Sequence, residues 1–250
     1  MQRTEEERGP RLVTKRILRM FELRRRWSFS FAIGLALFVI CMFYIPQWQT
    51  YTPQIEGAIP HSPHLTPWTV LFVSVLSLSL AIIAFPARIA SPFQTVVSKT
   101  LGVVVLCFAT VFLLEYLSGI RMPDLDIFFL PDAVGQRVTL YSARPCSQSA
   151  LTSLFFALAL LFYNRNPRWR LRTFQIGTLV ALAFPTLAAL GYIVRFILAD
   201  QQPSWLGIGL SIPTVILYFT LGSGFFGLCF AQRQARPTVA QTGKDFRRFV

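Results

Sequence analysis

The sequence predicts an all-α, polytopic membrane protein: six transmembrane helices arranged as three tandem two-helix hairpins. Three observations carry this. Hydrophobic residues fill 54% of the 250 positions and charged residues only 14%, against about 25% charged in soluble domains. The apolar residues gather into six runs, at 27–45, 68–85, 101–120, 149–163, 174–198 and 206–231. A single sequence pattern also recurs three times, once at the end of each hairpin. A soluble helical bundle is excluded because its helices would each keep a polar face, and these runs have almost none.

The recurring pattern is a polar or proline lead, a Ser/Thr step, an apolar run and a pair of small residues two apart. It reads TPWTVLFVSVLSLSLAI at 66–82, PCSQSALTSLFFALALLFY at 145–163 and SIPTVILYFTLGSGFFGL at 211–228. The small pairs are Ser77/Ser79, Ala157/Ala159 and Gly222/Gly224, each beginning eight residues after Thr69, Ser149 or Thr214. Small side chains let membrane helices approach closely, so these six are expected at a common packing interface, with a ligand cleft as the other reading. Thr69, Ser149 and Thr214 are expected as N-cap or first-turn residues giving a hydroxyl to free amides. The first helices repeat too: Tyr44, Tyr116 and Tyr192 lie near their ends, 72 and 76 residues apart. This is a parallel repeat of one two-helix unit, unlike the inverted pairs of many transporters.

In chain order, residues 1–26 form a basic arm with nine Lys or Arg. Either a surface-lying amphipathic helix or an unfolded topology signal fits it. The transmembrane domain is expected over 27–231, with hairpins 27–85, 101–163 and 174–231. Spanning the hydrocarbon takes roughly 17–25 helical residues. Five runs meet this; the fourth is short and is expected to borrow 145–148 and 164–165. The first span follows the basic arm without a small-residue cleavage site and reads as a retained anchor. A basic tail, 232–250, closes the chain.

Charge sets the orientation. The arm, loop 86–100, loop 164–173 and the tail carry nine, two, four and five basic residues, whereas the alternate loops hold only Arg121, Arg137 and Arg144. Basic residues favour the cytoplasmic side, so both termini are expected there. The net charge of +13 then gathers on one face, which suits anionic lipid headgroups rather than nucleic acid.

Candidate chemistry is sparse. Glu115 and Arg195 are the ionisable side chains inside the runs. A charge in hydrocarbon seeks a partner, and their depths differ by about 6 Å at 1.5 Å per residue. An intramembrane ion pair between them is therefore expected; the alternative is Arg195 reaching water alone. His61 and His64 form an H-x-x-H pair able to face a metal from one helix. Pro63 between them disfavours helix, with Glu56 the one acidic residue near, so no metal is expected. Pro185 falls mid-run and predicts a kink. The 121–147 loop, with Asp124, Asp126, Asp132 and the apolar stretch 127–131, is long enough for an external contact, or for a lid over the helix ends. Cys41, Cys107 and Cys229 lie in runs and Cys146 at an edge, with no disulfide or metal spacing. No nucleotide-binding, hydrolase, metalloprotease or dithiol motif occurs, so neither an enzyme nor a cofactor is expected.

The segment RPCSQSALTSLFFALALL at 144–161, with its weaker copies, resembles the N-terminal membrane regions of bacterial sensor histidine kinases and diguanylate cyclases. The resemblance covers about 27–231. It implies a sensory input module in a bacterial inner membrane, acting through a protein partner on the cytoplasmic face or within the bilayer. Those families carry PAS, kinase or cyclase domains after the spans, and this sequence has no such motif before Val250. The competing expectations are a transporter or channel subunit and a structural subunit of a larger complex.

Overall fold

Apolar runs with no polar face can satisfy their backbone in hydrocarbon only as helices, and helices are what form. The computed structural model describes residues 28–45, 65–85, 92–120, 144–163, 168–197 and 210–246; side chains at 92, 168, 195–197 and 231–246 lie outside that description. Among the described residues there are six helices and no strand: α1 (Ser28–Ile45), α2 (Pro67–Ala84), α3 (Pro92–Ser118), α4 (Ser147–Phe162), α5 (Arg168–Ile197) and α6 (Ile212–Phe246). Five are long and apolar enough to cross a membrane; α4, at 16 residues, is shorter.

Helix ends depart from the apolar runs at several points. α3 begins at Pro92 rather than Leu101, so Ser98, Lys99 and Thr100 are helical rather than loop. α5 begins at Arg168 rather than at Phe174. The reason is general: hydropathy marks the hydrocarbon-soluble length, and a helix does not stop where the hydrocarbon does. Proline, lacking an amide hydrogen, suits the first helical position of α2 and α3. α6 begins at Ile212, not Leu206, and continues through the expected tail to Phe246. Its 35 residues span about 52 Å at 1.5 Å per residue. α4 stops at Phe162, and the Tyr163 amide closes the end on the carbonyls of Ala159 and Leu160. α5 runs through Pro185 without a break.

The even-numbered helices are interior and the odd-numbered ones peripheral. Of the apolar span, 78% is buried in α2 and 50% in α6, against 22% in α1 and 28% in each of α3 and α5. α3 packs on α2 and α4, and α5 on α4 and α6; α2 also meets α4 and α6. α1 lies against α2 and α6: Gly34 faces the Ser77 carbonyl and Ala81 amide, and the Ser30 hydroxyl donates to the Gly224 carbonyl at 2.9 Å. Phe, Leu and Val fill the spaces between. Trp68, Phe72, Phe108 and Phe112 cluster between α2 and α3. Phe156, Phe174, Tyr218 and Phe225 cluster among α4, α5 and α6.

All six small residues, Ser77, Ser79, Ala157, Ala159, Gly222 and Gly224, are buried where helices pack. The expectation of one common interface is corrected, because each pair is shared between two neighbours. On α2 the Ser77 carbonyl meets Gly34 of α1, whereas the Ser79 carbonyl accepts from the Ser98 hydroxyl of α3 at 3.2 Å. The Ser79 hydroxyl does not reach another helix; it donates to the Val75 carbonyl of its own helix at 2.9 Å. On α4, Ala157 and Leu160 receive Gly102 of α3, and Ala159 receives Gly177 of α5. On α6, Gly222 admits Leu182 of α5, while Gly224 admits Leu80 of α2 and Ile33 of α1. The cause is helical geometry: residues two apart are turned about 200° from one another and cannot share a face. A Cβ at Gly222 or Gly224 would come within 3 Å of a leucine side chain. Peripheral side chains such as Leu117, Phe43, Ile176 and Leu187 stay exposed, as a hydrocarbon-facing surface requires.

Candidate functional site

α2, α4 and α6 each begin with a polar N-terminal turn, at Thr66, Cys146 and Ser211, followed three residues on by Thr69, Ser149 and Thr214. These three are therefore third-position residues of the helix rather than N-caps. Nor do their hydroxyls serve amides. Thr69 Oγ1 lies 2.9 Å from Thr66 Oγ1, and Thr214 Oγ1 lies 2.7 Å from Ser211 Oγ. In the middle copy the Cys146 sulfur accepts from the Ser149 amide at 3.3 Å, leaving the Ser149 hydroxyl to face outward from its own helix.

That hydroxyl is the meeting point of the three interior helices. Ser149 Oγ lies 2.9 Å from Thr69 Oγ1 of α2 and 2.7 Å from Tyr218 Oη of α6. Tyr218 Oη is also 2.7 Å from Ser153 Oγ and donates to the Ser149 carbonyl at 3.1 Å. Thr69, Ser149, Ser153 and Tyr218 are all buried. Five hydroxyls thus form one connected network, with its Thr66 end only part-buried. Buried hydroxyls without partners are costly, and here each one is satisfied by another.

A second set of contacts ties each peripheral helix to the start of the next. Tyr116 donates to the Pro145 carbonyl at 2.6 Å and Tyr192 to the Leu210 carbonyl at 2.7 Å; Tyr44 approaches the Leu65 carbonyl at 3.4 Å. In every case the acceptor is the residue just before the N-terminal turn of the following helix. Beside the middle contact, the Arg144 guanidinium donates to the Glu115 carboxylate at 2.7 Å, both groups being buried. Glu115 and Tyr116 on α3 thus meet Arg144 and Pro145 as adjacent rungs.

Glu115 therefore has a close basic partner that the charge reading did not select. The expected partner, Arg195, has its side chain outside the described residues, as do His61, His64, the 121–143 part of the long loop and the 1–26 arm. The sequence signal for Arg144 is its place as the basic residue immediately before the middle copy of the repeated pattern; its pairing with Glu115 comes from the packing of α3 on α4. Tyr218 and Ser153 were also missed. Their signal is a polar stripe at helical spacing, 211, 214, 218 on α6 and 146, 149, 153 on α4.

Chemically, the network consists of hydroxyls with the Cys146 thiol beside it, and among the described residues it has no strong base in contact with a nucleophile. It can hold helices in register and hand a change of hydrogen bonding from one helix to the next. No protein family, curated protein or solved structure matches the chain.

Proposed function

We propose that this protein is a multi-pass sensory input module of a bacterial inner membrane, built from three tandem hairpins with both termini in the cytoplasm. It responds at the membrane or its outer face and acts through a partner rather than by catalysis. The observation that carries this reading is α6. Tyr218 of this helix sits in the buried hydroxyl network, and the same unbroken helix continues to Phe246. One rigid element therefore links the junction of the interior helices to the basic C-terminal region. The three tyrosine–carbonyl contacts support the tandem arrangement, since each closes one helix pair at the same relative position.

Two experiments test it. Alkaline phosphatase fused after Asp132 is expected to be active and the same enzyme fused after Val250 inactive; the reverse refutes the orientation. Photocrosslinking residues placed one at a time through 233–246 in native membranes are expected to capture one polypeptide at positions three or four apart. Uniform labelling, or none, refutes signalling through this helix. The transporter reading makes the opposite demand at the junction. Cysteines replacing Ser149 or Ser153 would then react with hydrophilic thiosulfonates, whereas a packed junction leaves them unreactive.

A further inference from the structure

The protons of the hydroxyl network can be placed by counting. Tyr218 Oη has one proton and two acceptor sites, and three partners: the Ser149 carbonyl, Ser149 Oγ and Ser153 Oγ. A carbonyl can only accept. The tyrosine proton therefore goes to it, and Ser149 and Ser153 must both donate to Tyr218. With its proton committed, Ser149 Oγ accepts from Thr69. Thr69, with its proton committed in turn, accepts from Thr66. With the tyrosine proton on that carbonyl, the rest of the order follows: Thr66 to Thr69 to Ser149 to Tyr218 to the Ser149 carbonyl, with Ser153 joining at Tyr218.

A second order satisfies the same oxygens except that carbonyl. If Tyr218 turns its proton to Ser149 Oγ, then Ser149 donates to Thr69, Thr69 to Thr66, and the Thr66 proton points away from the network. Ser153 still donates to Tyr218. No covalent bond changes; each hydroxyl rotates. A mixed arrangement either sets two protons facing each other or turns one buried hydroxyl's proton out of the chain, so a uniform order is favoured. Aligned hydroxyls also polarise one another, which strengthens each uniform order over any broken one.

An independent observation marks the Thr66 end as the place where the order is set. Thr66 is the N-cap of α2, yet its hydroxyl makes no bond to the amides of the first turn. At α6, by contrast, Ser211 Oγ does accept from the Thr214 amide at 3.3 Å. Thr66 gives up the usual capping role and faces Thr69 instead. It is also the part-buried member of the chain, the others lying within the interior.

We propose that the Thr66–Thr69–Ser149–Tyr218 chain is a conformational switch with two hydrogen-bond polarities, which couples the start of α2 to α6. In the first setting Thr66 offers lone pairs outward and Tyr218 is tied to the α4 backbone. A hydrogen-bond acceptor presented to Thr66, such as a carboxylate, a phosphate oxygen or a carbonyl, favours the reversed setting and releases Tyr218 from that carbonyl. The regulatory meaning rests on the sensory reading above; the coupling itself does not.

The test reads Tyr218 directly in the full chain, purified into lipid nanodiscs with ring-labelled tyrosine. The infrared C–O stretch of a phenol reports whether it donates, accepts or does both. The Tyr218 band is identified as the one displaced by Ser153→Ala, which removes one donor to that oxygen, and is cross-checked by Tyr218→Phe where that variant folds. Thr66→Asp places a carboxylate, which can only accept, at the far end of the chain and does not touch Tyr218. It is expected to draw the Thr69 proton, reverse the order and displace the Tyr218 band, while Thr66→Val, which keeps the first order, and Ser211→Ala, outside the chain, leave it in place. A Tyr218 band unmoved by Thr66→Asp overturns the proposal, because the hydrogen bonds would then be independent. Partner crosslinking along 233–246 is a separate result, so loss of the coupling and loss of the sensory reading are told apart.

Discussion

Replacing Gly34 by alanine should loosen the protein more than the same change at any peripheral glycine that faces side chains. A Cβ at Gly34 would lie 2.7 Å from both the Ala81 amide nitrogen and the Ser77 carbonyl oxygen. Ordinary contact begins at 3.4 Å, so α1 and α2 must part locally by about 0.7 Å. Both opposing atoms are backbone of a buried helix, so neither can rotate away. Overpacking of this kind costs about 1–3 kcal/mol, a fall in melting temperature of roughly 2–12 °C for a chain of this size. Gly102 is the control: a Cβ there meets Leu160 Cβ at 3.5 Å and the Ala157 carbonyl at 3.6 Å, ordinary distances. Removing a helical glycine should then hold or raise stability by up to about 1 kcal/mol. Gly177, with Ala159 Cβ at 3.0 Å, should fall between. Fluorescence-detected thermal unfolding in one detergent measures all three. Gly34→Ala as stable as Gly102→Ala would refute the close approach of α1 to α2.

Three further outcomes follow from the contacts. Glu115→Leu and Arg144→Leu each break the buried 2.7 Å ion pair and should destabilise the protein by up to about 3–5 kcal/mol, whereas the double variant should cost less than the two single losses added, by thermal unfolding. Tyr116→Phe and Tyr192→Phe should each lose about 1 kcal/mol; Tyr44→Phe should lose less, because its contact is 3.4 Å long, and equal losses would contradict that ranking. Cys107 is exposed on the apolar face of α3 while Cys41 and Cys229 are buried; maleimide adds to a thiolate, which water must support, so in membranes all three should resist a hydrophilic maleimide until the protein is denatured, as mass spectrometry would record.

Much of the architecture is legible in the residues. The six apolar runs locate six helices because hydrocarbon leaves the backbone no other solution. The small pairs mark buried surfaces because only a missing side chain allows a 3 Å approach. Their division between neighbours, Ser77 toward α1 and Ser79 toward α3, is missed by the expectation of one interface, although a spacing of two cannot keep one helix face. Tyr44, Tyr116 and Tyr192 are legible as repeats, though not as donors to the next helix, since the acceptor carbonyls carry no side-chain signal. The starts of α3 and α5 were hidden by Lys99 and by Arg170 and Arg172, polar residues that extend a helix beyond its hydrophobic length. The junction was hidden for a different reason. Thr69, Ser149 and Tyr218 come from three helices 80 and 69 residues apart in sequence, and only their packing makes one network of them.

The brevity of α4 bears on how the protein is made. Sixteen residues give about 24 Å of helix, short of the ~30 Å hydrocarbon thickness, and Ser149, Thr152 and Ser153 lower its apolar content further. On the six-span reading such a segment gains little by partitioning alone from the insertion machinery into lipid. It is nevertheless enclosed by α3 and α5 and touches both other interior helices. Its entry must therefore be chaperoned by its own neighbours during biogenesis, and weakening α5, which is synthesised after it, would leave α4 stranded outside the bilayer rather than merely loosened within it.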